Sequence, residues 1–188
     1  SIVETDEGTL PFQHYFVRER CRPRITGLRF EGAEAAAANP IVLDALAEGG
    51  LGAVILCPSN PLISIDPILA VPGIRAALIA CPAPIVAVSP IVGGRAIKGP
   101  TAKMLGELGM AVTAEAVAEH YAGLLDGYVL DRADADQADR VHDQGLEVLV
   151  TETVMTSLGE RRALARHVLD FAGRCGKARE PARQRRVP

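Results

Sequence analysis

The sequence predicts an α/β fold of the Rossmann-like type, with a mostly parallel sheet and helices on both of its faces. Short apolar runs alternate along the chain with longer amphipathic stretches, which is the pattern of consecutive strand–helix units. Two of the runs, Ala-Val-Ile-Leu at 53–56 and Ile-Val-Ala-Val at 85–88, are apolar throughout. Unbroken runs of this kind are typical of parallel strands buried on both faces.

Five strands and six helices follow from these patterns. The predicted strands are Ile25–Phe30, Ala53–Cys57, Ile85–Ser89, Gly127–Asp131 and Leu146–Val150. The predicted helices are Pro40–Ala47, Pro67–Ala80, Thr101–Leu108, Ala114–Leu125, Ala135–Gln144 and Leu158–Ala172. Residues 1–172 are interpreted as a single α/β domain. Residues 173–188 are Arg-rich and lack apolar periodicity, which indicates a disordered basic tail, with a partner-binding tail as the alternative.

Composition narrows the class of protein. The chain has 188 residues, 48% of them hydrophobic, and a formal net charge of −3. This is too apolar for a disordered chain and too acidic for a typical nucleic-acid-binding domain. No apolar run approaches the roughly 18 residues of a membrane span, and no signal peptide is visible, so we expect a cytoplasmic protein without a membrane partner. The four cysteines have no C-x-x-C spacing, which disfavours a disulfide framework or a zinc site.

The loop after the strand at 53–57 is the first candidate site. It reads Pro-Ser-Asn-Pro-Leu-Ile-Ser-Ile-Asp-Pro over residues 58–67. Ser59, Asn60 and Ser64 can donate hydrogen bonds to phosphate oxygens, and Asp66-Pro67 is typical of a capped helix start whose N–H groups favour an anion. A rigid proline-rich turn with no ligand is the alternative.

The loop after the next strand is the second candidate. Gly93-Gly94 permits positive φ and close backbone approach to a ligand, while Arg95 and Lys98 supply positive charge. A flexible crossover with two solvated cations is the alternative. Because the carboxyl ends of parallel strands meet at one sheet edge, we expect the two loops to converge there.

Two charged clusters have open interpretations. Arginines at 18, 20, 22 and 24 would share one face if that segment is extended, which fits either a phosphate grip or a solvated edge strand. Asp131, Asp134, Asp136 and Asp139 follow a strand and fit a capped helix start better than a metal site. The four histidines show no metal-ligand spacing.

Longer motifs in the chain resemble the 2-phospho-L-lactate transferase family, known as CofD in archaea and FbiA in mycobacteria. The residues that carry the resemblance are 9–18 (Thr-Leu-Pro-Phe-Gln-His-Tyr-Phe-Val-Arg), 57–75 and 88–100, and more loosely 126–131 and 151–155. The resemblance extends from Thr5 to about Ala172.

The resemblance implies a role in the biosynthesis of coenzyme F-420. Family members transfer a phosphorylated three-carbon acid, phospholactyl or phosphoenolpyruvyl, from a guanosine-diphosphate-linked donor to the deazaflavin Fo, and GMP leaves. It also implies a requirement for Mg²⁺. On this basis Ser59, Asn60, Ser64 and Ile65 are the expected nucleotide- or phosphate-binding residues, and Ser89, Gly93, Gly94 and Lys98 the expected substrate-binding residues. Catalytic residues and metal ligands are not assigned.

The sequence departs from the family pattern at its beginning. The family's first strand, its Gly-rich loop and the acidic and lysine positions after that loop have no counterpart here, so we expect the C-terminal part of such an enzyme, without its N-terminal strands and inactive alone. The exposed sheet edge expected from this could be covered in a homodimer. The alternatives are a nucleotide-sugar- or nucleotide-binding regulatory module of the YvcK-like kind and an inactive truncated fragment.

Overall fold

Nine strands and seven helices organise residues 1–179, the part of the chain that this computed structural model describes. The strands are β1 (Ile2–Thr5), β2 (Gly8–Pro11), β3 (Ile25–Arg29), β4 (Val54–Leu56), β5 (Ile85–Val88), β6 (Ile91–Val92), β7 (Arg95–Ala96), β8 (Gly127–Asp131) and β9 (Glu147–Thr151). The helices are α1 (Pro40–Ala47), α2 (Asp66–Leu69), α3 (Ile74–Ala80), α4 (Thr101–Glu107), α5 (Ala114–His120), α6 (Ala138–Asp143) and α7 (Leu158–Arg179).

The central feature is a four-stranded parallel sheet in the order β4-β5-β8-β9. The two middle strands, β5 and β8, are buried along their whole length, as the apolar run at 85–88 predicts for β5. The other apolar run, at 53–56, contains the edge strand β4, which is only partly buried. Because all four strands are parallel, their carboxyl ends lie at the same edge. The predicted α/β fold with a parallel sheet is confirmed.

Helices cover both faces of this sheet. On one face, Val86, Val88 and Val129 pack against α7. Gly127 allows the closest approach, because a Cβ atom there would lie 2.8 Å from the Cys175 sulfur and 2.8 Å from the Phe171 ring. The other face carries the larger core. It packs against apolar side chains of α3, α4, α5 and α6, including Leu78, Met104, Leu105, Val117 and Val141.

The prediction that the strand at residue 25 joins the parallel sheet is wrong. β3 pairs antiparallel with β1, and β1 pairs antiparallel with β2, which makes a separate three-stranded sheet. β1 and β2 were not predicted, since each has only four residues and no continuous apolar run. The small sheet is anchored to α4, where the Glu107 carboxylate accepts a 2.9 Å hydrogen bond from the Ile25 N–H.

Lys103 of α4 completes this anchor. Its ammonium group contacts the Glu107 carboxylate at 2.6 Å, the Pro23 carbonyl oxygen at 3.0 Å and the hydroxyl of the fully buried Tyr15 at 3.2 Å. Burial alone would lower the pKa of Lys103, but its hydrogen bonds to Glu107 and Tyr15 raise it above the usual value. The N-terminal sheet thus holds α4, the helix whose first turn reaches the candidate site.

The arginine segment before β3 is not extended. Residues 14–18 form a helical turn, and Arg20 and Cys21 both have positive φ (51° and 56°). The alternation that would place four arginines on one face therefore does not occur, and both interpretations based on an extended strand are wrong. Arg18 and Arg22 instead form exposed ion pairs with Glu19.

Two helix predictions also need correction. The helix expected over 67–80 is two helices, α2 and α3, which meet near Gly73 at a φ of 88°; Pro72 just before it cannot extend α2. Helix α7 continues to Arg179, beyond the predicted end at Ala172. The rest of the predicted tail, 180–188, lies outside the described residues. Within 1–179 no single helix has the length and apolarity to cross a membrane; only the pair Pro61–Leu69 and Ile74–Ala80, bent by 85°, meets those two criteria.

Candidate functional site

A cavity of about 280 Å³ opens at the carboxyl edge of the parallel sheet. Its walls come from the segments that follow β4, β5 and β9, which places it where ligands bind in open α/β sheets. The lining residues are Pro58, Ser59, Asn60, Ser89, Pro90, Val92, Ile97, Lys98, Thr101, Thr153, Val154 and Met155. The two loops singled out in the sequence therefore do converge.

The first wall, after β4, is fixed by Asn60. Its side-chain oxygen accepts a 2.9 Å hydrogen bond from the Leu62 N–H, and its amide nitrogen lies 3.4 Å from the Met104 sulfur. Asn60 is thus an N-cap, with Pro61 at the first helical position. The helical segment Pro61–Leu69 begins here, at the cavity, and not at Asp66-Pro67 as the sequence predicted.

Asp66 has a different role from the predicted cap. It is the first residue of α2 and its side chain caps nothing. Its two carboxylate oxygens instead lie 2.8 and 3.0 Å from Nε2 of His120, at the end of α5. This contact braces the helical segment that starts at the cavity wall against a neighbouring helix.

Four of the eight predicted site residues line the cavity: Ser59, Asn60, Ser89 and Lys98. Ser64 lies one turn into the helical segment, with its N–H donating to the Asn60 carbonyl at 3.0 Å, and its side chain is exposed. Ile65 packs against the larger core. Neither residue belongs to the cavity lining.

The other two predicted residues, Gly93 and Gly94, form the turn between β6 and β7. Their φ values of 56° and 72° are those of a type I′ hairpin turn, which explains the glycine pair. The Gly93 N–H donates a 2.9 Å hydrogen bond to the Asp134 carboxylate. The glycines therefore shape the second wall without lining it.

The second wall contributes two polar side chains, Ser89, which is hydrogen-bonded within the protein, and Lys98, which is not. The buried Ser89 hydroxyl donates to the Ile91 carbonyl oxygen at 2.9 Å and accepts from the Ile91 N–H at 3.1 Å, so it is engaged in holding the turn. Within residues 1–179 the Lys98 ammonium forms no salt bridge or hydrogen bond, and its side chain is exposed. Lys98 is thus a cation at the cavity mouth that is available to an anionic ligand.

The third wall, residues Thr153–Met155 after β9, was not assigned to a site from the sequence. Its sequence carries no glycine, cation or histidine to mark it. The signal that could have revealed it is positional, because it follows the fourth parallel strand of the same sheet. We refer to Thr153–Met155 as the strap.

Two of the four acidic residues that begin at the end of β8, Asp131 and Asp134, make structural contacts, and the capped-helix interpretation is confirmed for Asp131. Asp131 is the N-cap of the helical turn 132–137, accepting from the Ala133 N–H at 3.0 Å. Asp134 accepts from Gly93 and, at 2.9 Å, from the Gln137 side-chain amide. Burial alone would raise the pKa of Asp131, but hydrogen bonds from Ala133 and Thr153 hold it below its usual value. Among residues 1–179 no group of three or more histidine, cysteine or acidic side chains is arranged to hold a metal ion.

Comparisons with known proteins support the family resemblance that the sequence motifs indicate. The family model described as 2-phospho-L-lactate transferase CofD matches residues 1–166. Similar curated proteins, all named phosphoenolpyruvate transferase, include those of Streptomyces coelicolor (42% identical over 171 residues, covering 90% of this chain and 53% of the relative), Streptomyces griseus (39%, 90% and 54%) and Mycolicibacterium smegmatis (35%, 91% and 52%). The chain spans about half the length of these relatives.

Proposed function

The chain belongs to the CofD family of 2-phospho-L-lactate transferases, and from that premise we propose that its cavity binds the phosphorylated donor of a transfer reaction. The reaction moves a phosphorylated three-carbon acid, phosphoenolpyruvyl or phospholactyl, from a guanosine-diphosphate-linked donor to the deazaflavin Fo in coenzyme F-420 biosynthesis. The name phosphoenolpyruvate transferase, which the similar proteins carry, favours the phosphoenolpyruvyl unit.

The observation that carries the proposal is the unpaired Lys98 ammonium at a cavity that is otherwise lined by hydroxyls, an amide and apolar side chains. A diphosphate is the part of the donor that needs a cation. Ser59 adds a hydroxyl donor on the facing wall. The amide nitrogen of Asn60 contacts only a thioether sulfur, which is a weak acceptor, so it can exchange that contact for a phosphate oxygen.

The proposed chemistry is a phosphoryl-type transfer. The side-chain hydroxyl oxygen of Fo forms a bond to the phosphorus that bears the three-carbon acid, the bond from that phosphorus to the bridging oxygen breaks, and GMP leaves with the bridging oxygen. The hydroxyl proton passes to solvent or to a base that we do not assign. Lys98 would stabilise the negative charge that develops on the phosphate oxygens.

Magnesium remains an expectation from the family. The carboxylate oxygens of Asp131 and Asp134 accept hydrogen bonds from backbone N–H groups and side chains, and among residues 1–179 no group of three or more histidine, cysteine or acidic side chains is arranged to hold the ion.

A pair of asparagine caps tests the proposal. Asn60→Asp keeps the capping oxygen but replaces the amide donor with an anionic oxygen. Because this removes a donor and adds repulsion between the carboxylate and the phosphates, GDP binding should weaken by about tenfold or more. Asn39 caps α1 in the same way, accepting from the Ile41 N–H at 3.0 Å, and Asn39→Asp should leave the affinity unchanged. Calorimetric titration with GDP gives both values. Equal affinities for the two variants would contradict the proposal.

A further inference from the structure

One carboxylate holds the first residue of the strap, and a second holds the two residues that directly follow the strap. Thr153, its first residue, is buried, whereas Met155, its last, is 37% exposed. The strap is the only one of the three walls without a proline or a glycine of its own. Its position therefore depends on hydrogen bonds to side chains elsewhere in the fold.

Asp131 provides the first of these attachments. It is the last residue of β8 and is directly opposite Thr151, the last residue of β9, in the parallel register. One of its carboxylate oxygens reaches two residues further and accepts from the Thr153 N–H at 2.8 Å and from the Thr153 hydroxyl at 3.0 Å. The other oxygen accepts from Ala133 at 3.0 Å.

Glu160 provides the second attachment. One of its carboxylate oxygens accepts from the Thr156 N–H at 2.6 Å, the Thr156 hydroxyl at 2.7 Å and the Ser157 N–H at 2.7 Å. In return the Ser157 hydroxyl accepts from the Glu160 N–H at 3.2 Å, which completes a capping box at the start of α7. The strap is therefore suspended between a buried carboxylate and an exposed one.

We propose that Asp131 is a positioning residue. Its hydrogen bonds to Thr153 hold the strap in place, and the position of the strap sets the affinity of the cavity for the donor. The inference rests on the proposed function. Asp131 does not line the cavity, so it acts on a ligand through Thr153 and the apolar side chains of Val154 and Met155.

The donors around Asp131 explain why an aspartate is required. It faces only donors, namely the N–H groups of Ala133, Thr153 and Val154 and the hydroxyl of Thr153. A carboxylate accepts from all of them, whereas an asparagine must turn its NH₂ group toward at least one N–H. Asp131→Asn therefore loses a hydrogen bond either to Ala133, which releases the 132–137 turn, or to Thr153, which releases the strap.

The test compares four variants by GDP calorimetry and by hydrogen exchange of the strap amides. Asp131→Asn is expected to weaken GDP binding by about tenfold, and Thr153→Val, which removes only the hydroxyl bond, by about threefold. Thr153→Ser, which keeps the hydroxyl, should retain more affinity than Thr153→Val. Asp136→Asn is the matched control, because the Asp136 side chain is 77% exposed and makes only a 3.9 Å ion pair with Arg140.

The outcomes separate the two claims. Faster exchange of the strap amides together with weaker GDP binding in Asp131→Asn and Thr153→Val, and neither effect in Asp136→Asn, would support the positioning role. Faster exchange with unchanged affinity would overturn it, and so would unchanged exchange. If the unaltered chain does not bind GDP, the proposed function fails and this inference fails with it. Thr153→Val decides the matter if Asp131→Asn does not fold.

Discussion

The carboxylate of Asp66 and Nε2 of His120 lie 2.8 Å apart although the residues are 54 positions apart in sequence. Both side chains are 23% exposed. The pair joins the start of α2 to the end of α5 and thereby braces the helical segment whose other end, at Asn60 and Pro61, begins at the cavity wall. A residue that the sequence assigned to capping thus acts as a tertiary contact.

We expect His120→Ala to lower the free energy of unfolding by about 1–2 kcal/mol, because it leaves the partly buried Asp66 carboxylate without its partner. Urea denaturation measures the change. His142→Ala serves as the control, since His142 is exposed on α6 and its side chain forms no hydrogen bond or ion pair within residues 1–179. A loss of the same size in both variants would show that the Asp66 contact contributes nothing.

Two fully buried tyrosines should respond in opposite ways to removal of the hydroxyl. The Tyr128 hydroxyl makes no well-formed hydrogen bond within residues 1–179; burial raises its pKa, and a weak contact with the Ser89 side chain offsets only part of that rise. The Tyr15 hydroxyl contacts the Lys103 ammonium at 3.2 Å and the Cys21 carbonyl oxygen at 3.4 Å. Removing an unpaired buried hydroxyl relieves a desolvation cost, whereas removing a paired one leaves its partner unsatisfied.

Tyr128→Phe should therefore be neutral or stabilising, and Tyr15→Phe should be destabilising by about 1–2 kcal/mol. Chemical denaturation of the two variants under identical conditions provides the comparison. A destabilisation of more than about 1 kcal/mol in Tyr128→Phe would mean that its hydroxyl is satisfied, for instance by a buried water.

The capping box at Glu160 should make stability depend on pH. Hydrogen bonds from Thr156 and Ser157 lower the pKa of Glu160 to about 2, against an ordinary value of 4.5. Because the folded-state pKa is depressed, the stabilisation is complete above about pH 4.5 and is lost as the pH falls toward 2. Glu160→Gln should therefore melt at a lower temperature than the unaltered chain at pH 7, with the difference shrinking toward zero near pH 2.

Glu152→Gln is the control for this titration, since the Glu152 side chain is 78% exposed and only 3.9 Å from Arg132. Its melting temperature should follow that of the unaltered chain at every pH. A Glu160→Gln difference that stays constant from pH 7 to pH 2 would exclude the ionised carboxylate as its source.

The parallel sheet was predictable because its strands are marked locally. The predicted bounds of β8 and α1, Gly127–Asp131 and Pro40–Ala47, are those of the structure. An apolar run that is buried on both faces has the same appearance in sequence whichever strand it pairs with. Pairing itself is not local, and for this reason β3 was placed in the wrong sheet and its partners β1 and β2 were missed.

The candidate site was predictable where residue type marks it. Loops rich in serine, asparagine, glycine and lysine pointed to two of the three walls. The strap has no such residues. Its location depends on two hydrogen-bonding carboxylates, Asp131, which is 22 positions from Thr153, and Glu160, which is 4 positions from Thr156. The cap at Asn60 was missed because Asp66-Pro67 carries an equally strong helix-start pattern six residues later, and only the contact with His120 shows why it is not used.

The most direct test of the central claim, that the cavity binds the guanosine-diphosphate part of the donor through Lys98, is a titration series with guanosine, GMP and GDP. We expect affinity to rise with each phosphate in the unaltered chain, and this rise to be largely lost in Lys98→Ala, by about tenfold for GDP. The rise in affinity should be retained in Arg95→Ala, which removes an exposed cation three residues before Lys98 that does not line the cavity. An affinity series that is the same in Lys98→Ala as in the unaltered chain would contradict the account.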